Sequence, residues 1–537
     1  MHIPQKPYVA ITTDKQVCHS GWPEIGQALK AHLQNHPKRR MVLTVECYPG
    51  TYASLDLAAL KKALDPDVIC QSDDLFLEEQ ALRRATPTPG PLSKASLQAG
   101  GSYEIDTFFD EAKLQALRQT IEQLPSGLIL IHGVGAHHVW PADVLVYSDV
   151  SRWELVQRMR RQEVGNVGFS NKHIALQKRF ARAYFVDWPV AEQIKQKLLP
   201  ECHYYLEANN WQQPKLMDGA LMRTGLARAS TQPLFLAPFF DPEIWNLTDT
   251  ESEKNLATSF DLHPNHDNFL LKVSDQLIEI PARNICYLFP RALLGEQNAG
   301  AFPFTLTHHQ QLHKKEHLIF WHPDQPQGPE IKPLYQHFIL LRAKDKATIL
   351  AGFQEGIALA QKQQLLQQDV PSQKDWRTHL QPFTLVEREC LSIAHAMIHS
   401  IGSHGDILRI SRADEYCRQR IPQRLQDEAK IPMPPEQAIP TKKRQSAARV
   451  WSTDIEKSPV DQLFIVRQLV DKNPISIPRS GIWRVACHLR GAPVFLECKN
   501  TPVVPLHAGQ LIVLPAGYQD ATWYSSGHAE LLLIGDQ

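Results

Sequence analysis

The chain has 537 residues, 43% hydrophobic and 21% charged, which is ordinary for a soluble globular protein and too long for one compact domain. Lys+Arg and Asp+Glu each number 57, so no basic excess draws the chain to nucleic acid or to an anionic membrane. No apolar run reaches the ~20 residues that cross a bilayer. The opening MHIPQKPYVAITTDK lacks a signal-peptide pattern, and nine scattered cysteines without a CxxC pair read as reduced thiols, so a cytoplasmic protein is expected.

The first 200 residues alternate short apolar runs with helical spacing. MVLTVECYP (41–49) predicts a strand, LDLAALKKAL (55–64) a helix, and DVIC (67–70) a strand. EAKLQALRQTIEQL (111–124) follows as a helix, GLILIHGVG (127–135) and DVLVYSDV (143–150) as strands, and WELVQRMRRQ (153–162) as a helix. Strands alternating with helices predict an α/β domain on a parallel sheet. From about residue 230 the pattern changes: PLFLAPFFDP, NFLLKV, LIEIPA, NICYLF, LIFW, HFILLRA and ATILAGF read as short strands of an all-β sandwich or barrel. Residues 355–379 read as helical, DILRISR (406–412) as strand, and the Pro-rich, charged stretch 420–446 as a linker or irregular arm. The last 60 residues alternate again and predict a second small β unit, so the two β units could be a duplicated jelly roll.

A phosphate-binding α/β domain places a Gly-rich loop after its first strand. Here that position reads ECYPGTYASLDL (46–57), in which only Gly50 matches and no Lys follows. Asp73 and Asp74 stand just after a strand, and Arg158, Arg160 and Arg161 lie on a later helix. This order resembles the uridine kinase and phosphoribulokinase type of P-loop fold over residues 40–190, in which the arginines would form a lid. Without the Lys, and with Glu46 repelling phosphate, phosphoryl transfer and ATP binding are not expected. The plainer reading gives Asp73 and Asp74 a helix-capping role and the arginines a solvated or domain-contacting face.

Histidines concentrate between 300 and 410, in THHQQLHKKEH (307–317), FWHP (320–323) and IAHAMIHSIG (393–402). Imidazole is the commonest metal ligand, and a β barrel can gather such residues from separate strands. Together with VECYPG, SDDLF, SDVSRWELVQRMRRQEVG, YFVDWPV, PFFDPEIW, LFPRALLGE and ATILAGFQEGI, in that order, these segments resemble class I mannose-6-phosphate isomerases, in particular the long form with a kinase-like N-terminal domain. The resemblance implies a degenerate P-loop domain over 1–205 and a first cupin with a helical insertion over 206–425. It places a linker over 426–476 and a C-terminal cupin-like β unit over 477–537, making a jelly-roll bicupin.

The family binds zinc through the Gln and His of a QxHP motif, a Glu on a following strand, and a His after a PAG turn. Here the motif reads Phe320-Trp321-His322-Pro323, the Glu position holds Gln336, and the last His aligns with His399 after Ala394-His395-Ala396. Phe320 offers no donor and Gln336 only a neutral amide, so a zinc site would need His322, His399 and His395. His337 would reach the interior only by a one-residue slip that flips every neighbour. The Trp-Gly-Gly that the family carries after PFFDP is absent; the chain reads Glu243-Ile244-Trp245-Asn246. Arg418 and Arg420 fall where the family has a cationic segment facing substrate and are the candidate catalytic residues; Lys332, Gln336 and Arg409 are candidates for binding a hexose phosphate. The resulting expectation is a sugar-phosphate-binding protein of weak or no isomerase activity. The alternatives are an active metal-dependent isomerase interconverting mannose 6-phosphate and fructose 6-phosphate through His322, His395 and His399, and a noncatalytic protein-interaction scaffold.

Overall fold

The computed structural model describes residues 8–11, 18–35, 38–88, 103–236, 261–262, 267–296, 304–309, 318–320, 335–343, 346–358, 360–361, 378–394, 399–401, 405–412, 449–453, 463–477, 480–498, 503–518 and 520–535. The chain divides into two compact units, one of 1–89, 94–229 and 265–289, the other of 90–93, 230–264 and 290–537.

The first unit is built on a seven-stranded sheet. Five strands run parallel in the order Val68–Gln71, Gly127–Gly133, Arg40–Cys47, Val144–Asp149, Tyr204–Glu207; Lys215–Asp218 and Cys18–Ser20 extend it antiparallel. Arg40–Cys47 lies in the middle, and all but its first residue are buried, which is why RMVLTVEC is largely apolar and lacks strict alternation. Helices Trp22–Asn35 and Ala53–Leu64 cover this strand with Ile25, Leu29, Leu60 and Leu64, all within one core. Asp110 caps helix Glu111–Gln123 by accepting from the backbone N–H of Ala112 and Lys113, and Ser151 caps Arg152–Arg160 through Glu154 N.

Two segments read as part of the β region belong to this unit. Asn268–Val273 and Gln276–Pro281 form a hairpin, and Val9–Ile11 adds to it in parallel. NICYLF is a helix, Arg283–Leu288, not a strand. Period alone does not separate a short buried strand from a short buried helix. Side-chain chemistry decides here: Asn284 donates to Asp149 Oδ2 (3.1 Å), and Arg283 Nε donates to Tyr287 Oη one helical turn on (2.5 Å).

The second unit contains two β sandwiches of one design. In the first, Phe304–His309, Gly405–Arg412, Tyr335–Ala343 and Glu389–Ala394 are adjacent in that order, flanked by Asp261–Leu262 and Arg449–Ser452; the opposing sheet runs Leu318–Phe320, His399–Ile401, Ala347–Phe353, Leu380–Leu385. In the second, Phe464–Val470, Ala529–Gly535, Arg484–Gly491 and Leu511–Leu514 oppose Ile475–Ile477, Ala521–Ser525, Val494–Cys498 and Val504–Leu506. Each sandwich therefore has strand order 1-8-3-6 in one sheet and 2-7-4-5 in the other. Phe338, Leu391 and Ile407 meet Ile349 and Ala351 between the sheets of the first; Leu531 and Ile512 meet Leu496 and Trp523 in the second. Phe464–Val470 and Ile475–Ile477, read as linker, are strands of the second sandwich. The arm 420–446 and most of the helical insertion lie outside the described residues.

Candidate functional site

The strand Tyr335–Ala343 sets the site. Phe338 and Leu340 are in the core between the sheets, so alternation turns Gln336 to the same interior face and His337 to the other. His337 instead pairs with Ser392, Nδ1 to Oγ at 2.7 Å, and no slip brings it inside. The neighbouring strand runs antiparallel with Gln336 opposite Ser411, Phe338 opposite Arg409 and Leu340 opposite Ile407. Beyond it, Thr305 is opposite Ser411. From the facing sheet, the His399 ring meets Phe338 edge-on with centroids 5.2 Å apart. One interior wall thus carries Gln336, Arg409, Ser411 and Thr305, the facing sheet adds His399, and all five are buried.

Buried polar groups ordinarily hydrogen-bond within the protein. Gln336 breaks that rule twice: among the described residues neither its Oε1 nor its Nε2 has a partner, and the Oγ of Ser411 opposite has none either. The second sandwich supplies a comparison within the same molecule. Its strands Arg484–Gly491 and Ala529–Gly535 pair over the same seven positions, with a bulge at His488/Arg490 matching the one at Leu340/Arg342. At the places of Arg409, Ser411 and Thr305 it has Leu533, Gly535 and Phe464; at the place of Gln336 it has Arg484, half-buried at the strand start. The second sandwich thus closes with Leu, Gly and Phe at three of these four places.

The wall does not suit zinc. A zinc site collects imidazole, thiolate or carboxylate donors, whereas among the described residues this interior offers the His399 imidazole, a neutral amide and a guanidinium that repels a cation. Phe320 is opposite His399 in the register. Among the described residues no three His, Cys, Asp or Glu side chains come together for a metal ion. His322, His395, Lys332, Arg418 and Arg420 lie outside the described residues. Of the candidates read from sequence, then, the structure brings Gln336, Arg409 and His399 together. Ser411 and Thr305 are additions, and the alternation Ile407, Arg409, Ser411 within DILRISR was the signal for the former.

The first unit, by contrast, satisfies its own charges at the carboxyl end of the parallel sheet. The Glu46 carboxylate accepts from Gly135 N (2.6 Å) and His137 N (2.9 Å) and pairs with His137 Nδ1 (2.9 Å). Lys195 pairs with Asp149 (2.9 Å), and Arg152 with Glu192 (3.1 Å) and the Tyr48 hydroxyl (2.6 Å). Burial alone would raise the Glu192 carboxyl, but Lys195, Arg283 and Arg152 bring it down to about 2. Arg158 is no lid residue: it is wholly buried and donates to the carbonyls of Gly50, Ala208 and Asn209. It fixes the 48–52 loop, where Gly50 has φ +89° and a Cβ would strike Leu155.

Residues 21–231 match a family model described as a domain of unknown function (DUF8485). No curated protein matches the chain. Solved structures similar to it include the mannose 6-phosphate isomerase of Bacillus subtilis, at 13% identity and a TM-score of 0.38 over 57% of this chain and 99% of that one. The apo mannose 6-phosphate isomerase of Salmonella typhimurium is similar at 13% identity and a TM-score of 0.37, over 57% of this chain and all of that one.

Proposed function

We propose that the chain is a mannose-6-phosphate isomerase-like bicupin that binds a hexose phosphate in its first β sandwich, with weak or no isomerase activity. The observation that carries this reading is the wall of Gln336, Arg409 and Ser411. Its unpartnered amide and hydroxyl, beside a buried guanidinium, match the donors and acceptors that a phosphorylated polyol presents. The ordered segments that resemble the isomerase family supply the substrate class. Arg418 and Arg420 are proposed to meet the ligand at the rim, with Lys332. Proton transfer between adjacent sugar carbons in that family relies on a metal that polarises the substrate oxygens. No step is assigned to one here, because the donor set on the wall does not fit it.

The first unit is proposed as a kinase-like scaffold that transfers no phosphate. Its loop after the central strand lacks Lys, and Glu46 is engaged by backbone donors. The test is calorimetric titration with mannose 6-phosphate, fructose 6-phosphate and mannose, beside an isomerase assay with zinc, manganese or cobalt added. Binding of both phosphates in preference to mannose, with turnover absent or slow, is expected. Equal or undetectable binding of all three leaves the protein-scaffold reading; brisk metal-dependent turnover restores the isomerase.

A further inference from the structure

Resting on the hexose-phosphate reading, we infer that the anionic end of the ligand is held inside the first sandwich by Arg409, flanked by Gln336 and Ser411. Three observations converge. Arg409 is only 4% exposed, on the strand face that Ile407 turns into the core. The equivalent position of the second sandwich is Leu533, so an apolar side chain satisfies the fold there. A guanidinium is the side chain best shaped to take two oxygens of a phosphate or carboxylate at once.

Gln336 and Ser411 face each other across the ladder, and Gln336 is a diagonal neighbour of Arg409 on the same wall. Gln336 Nε2 and Ser411 Oγ supply two more donors toward an anion, and Gln336 Oε1 remains to accept from a sugar hydroxyl. The arrangement recognises a monoanionic or dianionic oxyacid group, deep in the sandwich, with no divalent cation between it and the protein.

The experiment is calorimetry on the full chain, pretreated with EDTA, with mannose 6-phosphate, inorganic phosphate and mannose as titrants, repeated with zinc added. The proteins compared are the parent, Arg409→Leu, Arg409→Lys and Arg418→Ala/Arg420→Ala. Arg409→Leu installs what the second sandwich already carries, and circular dichroism with a melting curve verifies that it folds; Arg409→Lys retains charge but loses the planar fork. Mannose 6-phosphate and phosphate should bind the EDTA-treated parent, with zinc leaving Kd unchanged. Arg409→Leu should weaken both by about tenfold or more, and Arg409→Lys by less. Binding that requires zinc, or that survives Arg409→Leu and disappears in Arg418→Ala/Arg420→Ala, overturns this inference while the hexose-phosphate reading stands. Arg409-dependent binding of phosphate without preference for mannose 6-phosphate does the reverse. No binding by any titrant overturns both.

Discussion

Gln336 is buried with both ends of its amide unpartnered among the described residues, a condition that lowers stability relative to an apolar side chain of the same volume. Gln336→Met should therefore raise the unfolding free energy by about 1–3 kcal/mol while weakening hexose-phosphate binding. Urea unfolding and calorimetry on one preparation check it, and a destabilised variant would mean that the amide is satisfied. Asp56 presents a related case in the first unit. Among the described residues its Oδ2 has no hydrogen-bond partner, and burial pushes its carboxyl up to about 7, with Arg158 offsetting only part of the effect. Because the folded pKa exceeds the unfolded one, stability is highest below about pH 4 in this respect. It erodes as pH rises toward 7, where the buried group must ionise. Asp56→Asn should thus gain melting temperature over the parent at pH 8 and gain little at pH 4.5; an equal gain at both would show that ionisation is not the cause.

The strand Tyr335–Ala343 carries the site only because its register and its bulge are held. Leu340 O, at the bulge, accepts from Arg467 Nη2 (3.2 Å) of the second sandwich and from Arg388 N (3.3 Å). Arg467 also donates to Thr453 Oγ1 (3.0 Å) and pairs with Glu530, which Arg490 holds from the other side (2.7 Å). Burial alone would raise the Glu530 carboxyl, but Arg467 and Arg490 together keep it below the usual range. Arg467→Met should cost about 3 kcal/mol, since it leaves a buried carboxylate under-paired. Glu530→Gln in that background should recover part of the loss, so that the double-mutant cycle shows coupling. Additive losses would reduce the bridge to ordinary packing.

Two compact units with separate cores need not melt together. Scanning calorimetry of the full chain should resolve more than one transition. Mannose 6-phosphate at about 100 times Kd should stabilise only the transition of the second unit, by about 2.7 kcal/mol. Asp56→Asn should move only the other. One cooperative transition displaced by both would show that the units unfold as a single body.

Much of the architecture was readable before any coordinates. Predominantly apolar runs such as MVLTVEC and GLILIHG specified buried parallel strands because a strand covered on both faces needs apolar side chains at most positions. The spacing of LDLAALKKAL specified its helix, and the loss of the Gln and Glu donors was visible as Phe320 and Gln336. NICYLF was misread, since six apolar residues satisfy either period until Asn284 finds Asp149. The site was legible only in pieces. Gln336, Arg409 and His399 could be named one by one, but they lie on different strands. Whether a strand residue faces core or solvent turns on a one-residue register. That register is fixed by pairing across 75 residues of sequence between Gln336 and Ser411, together with a bulge at Leu340/Arg342, and neither is encoded locally. The exchange of Leu533 and Gly535 for Arg409 and Ser411 likewise became visible only when tertiary structure laid the two sandwiches over the same ladder.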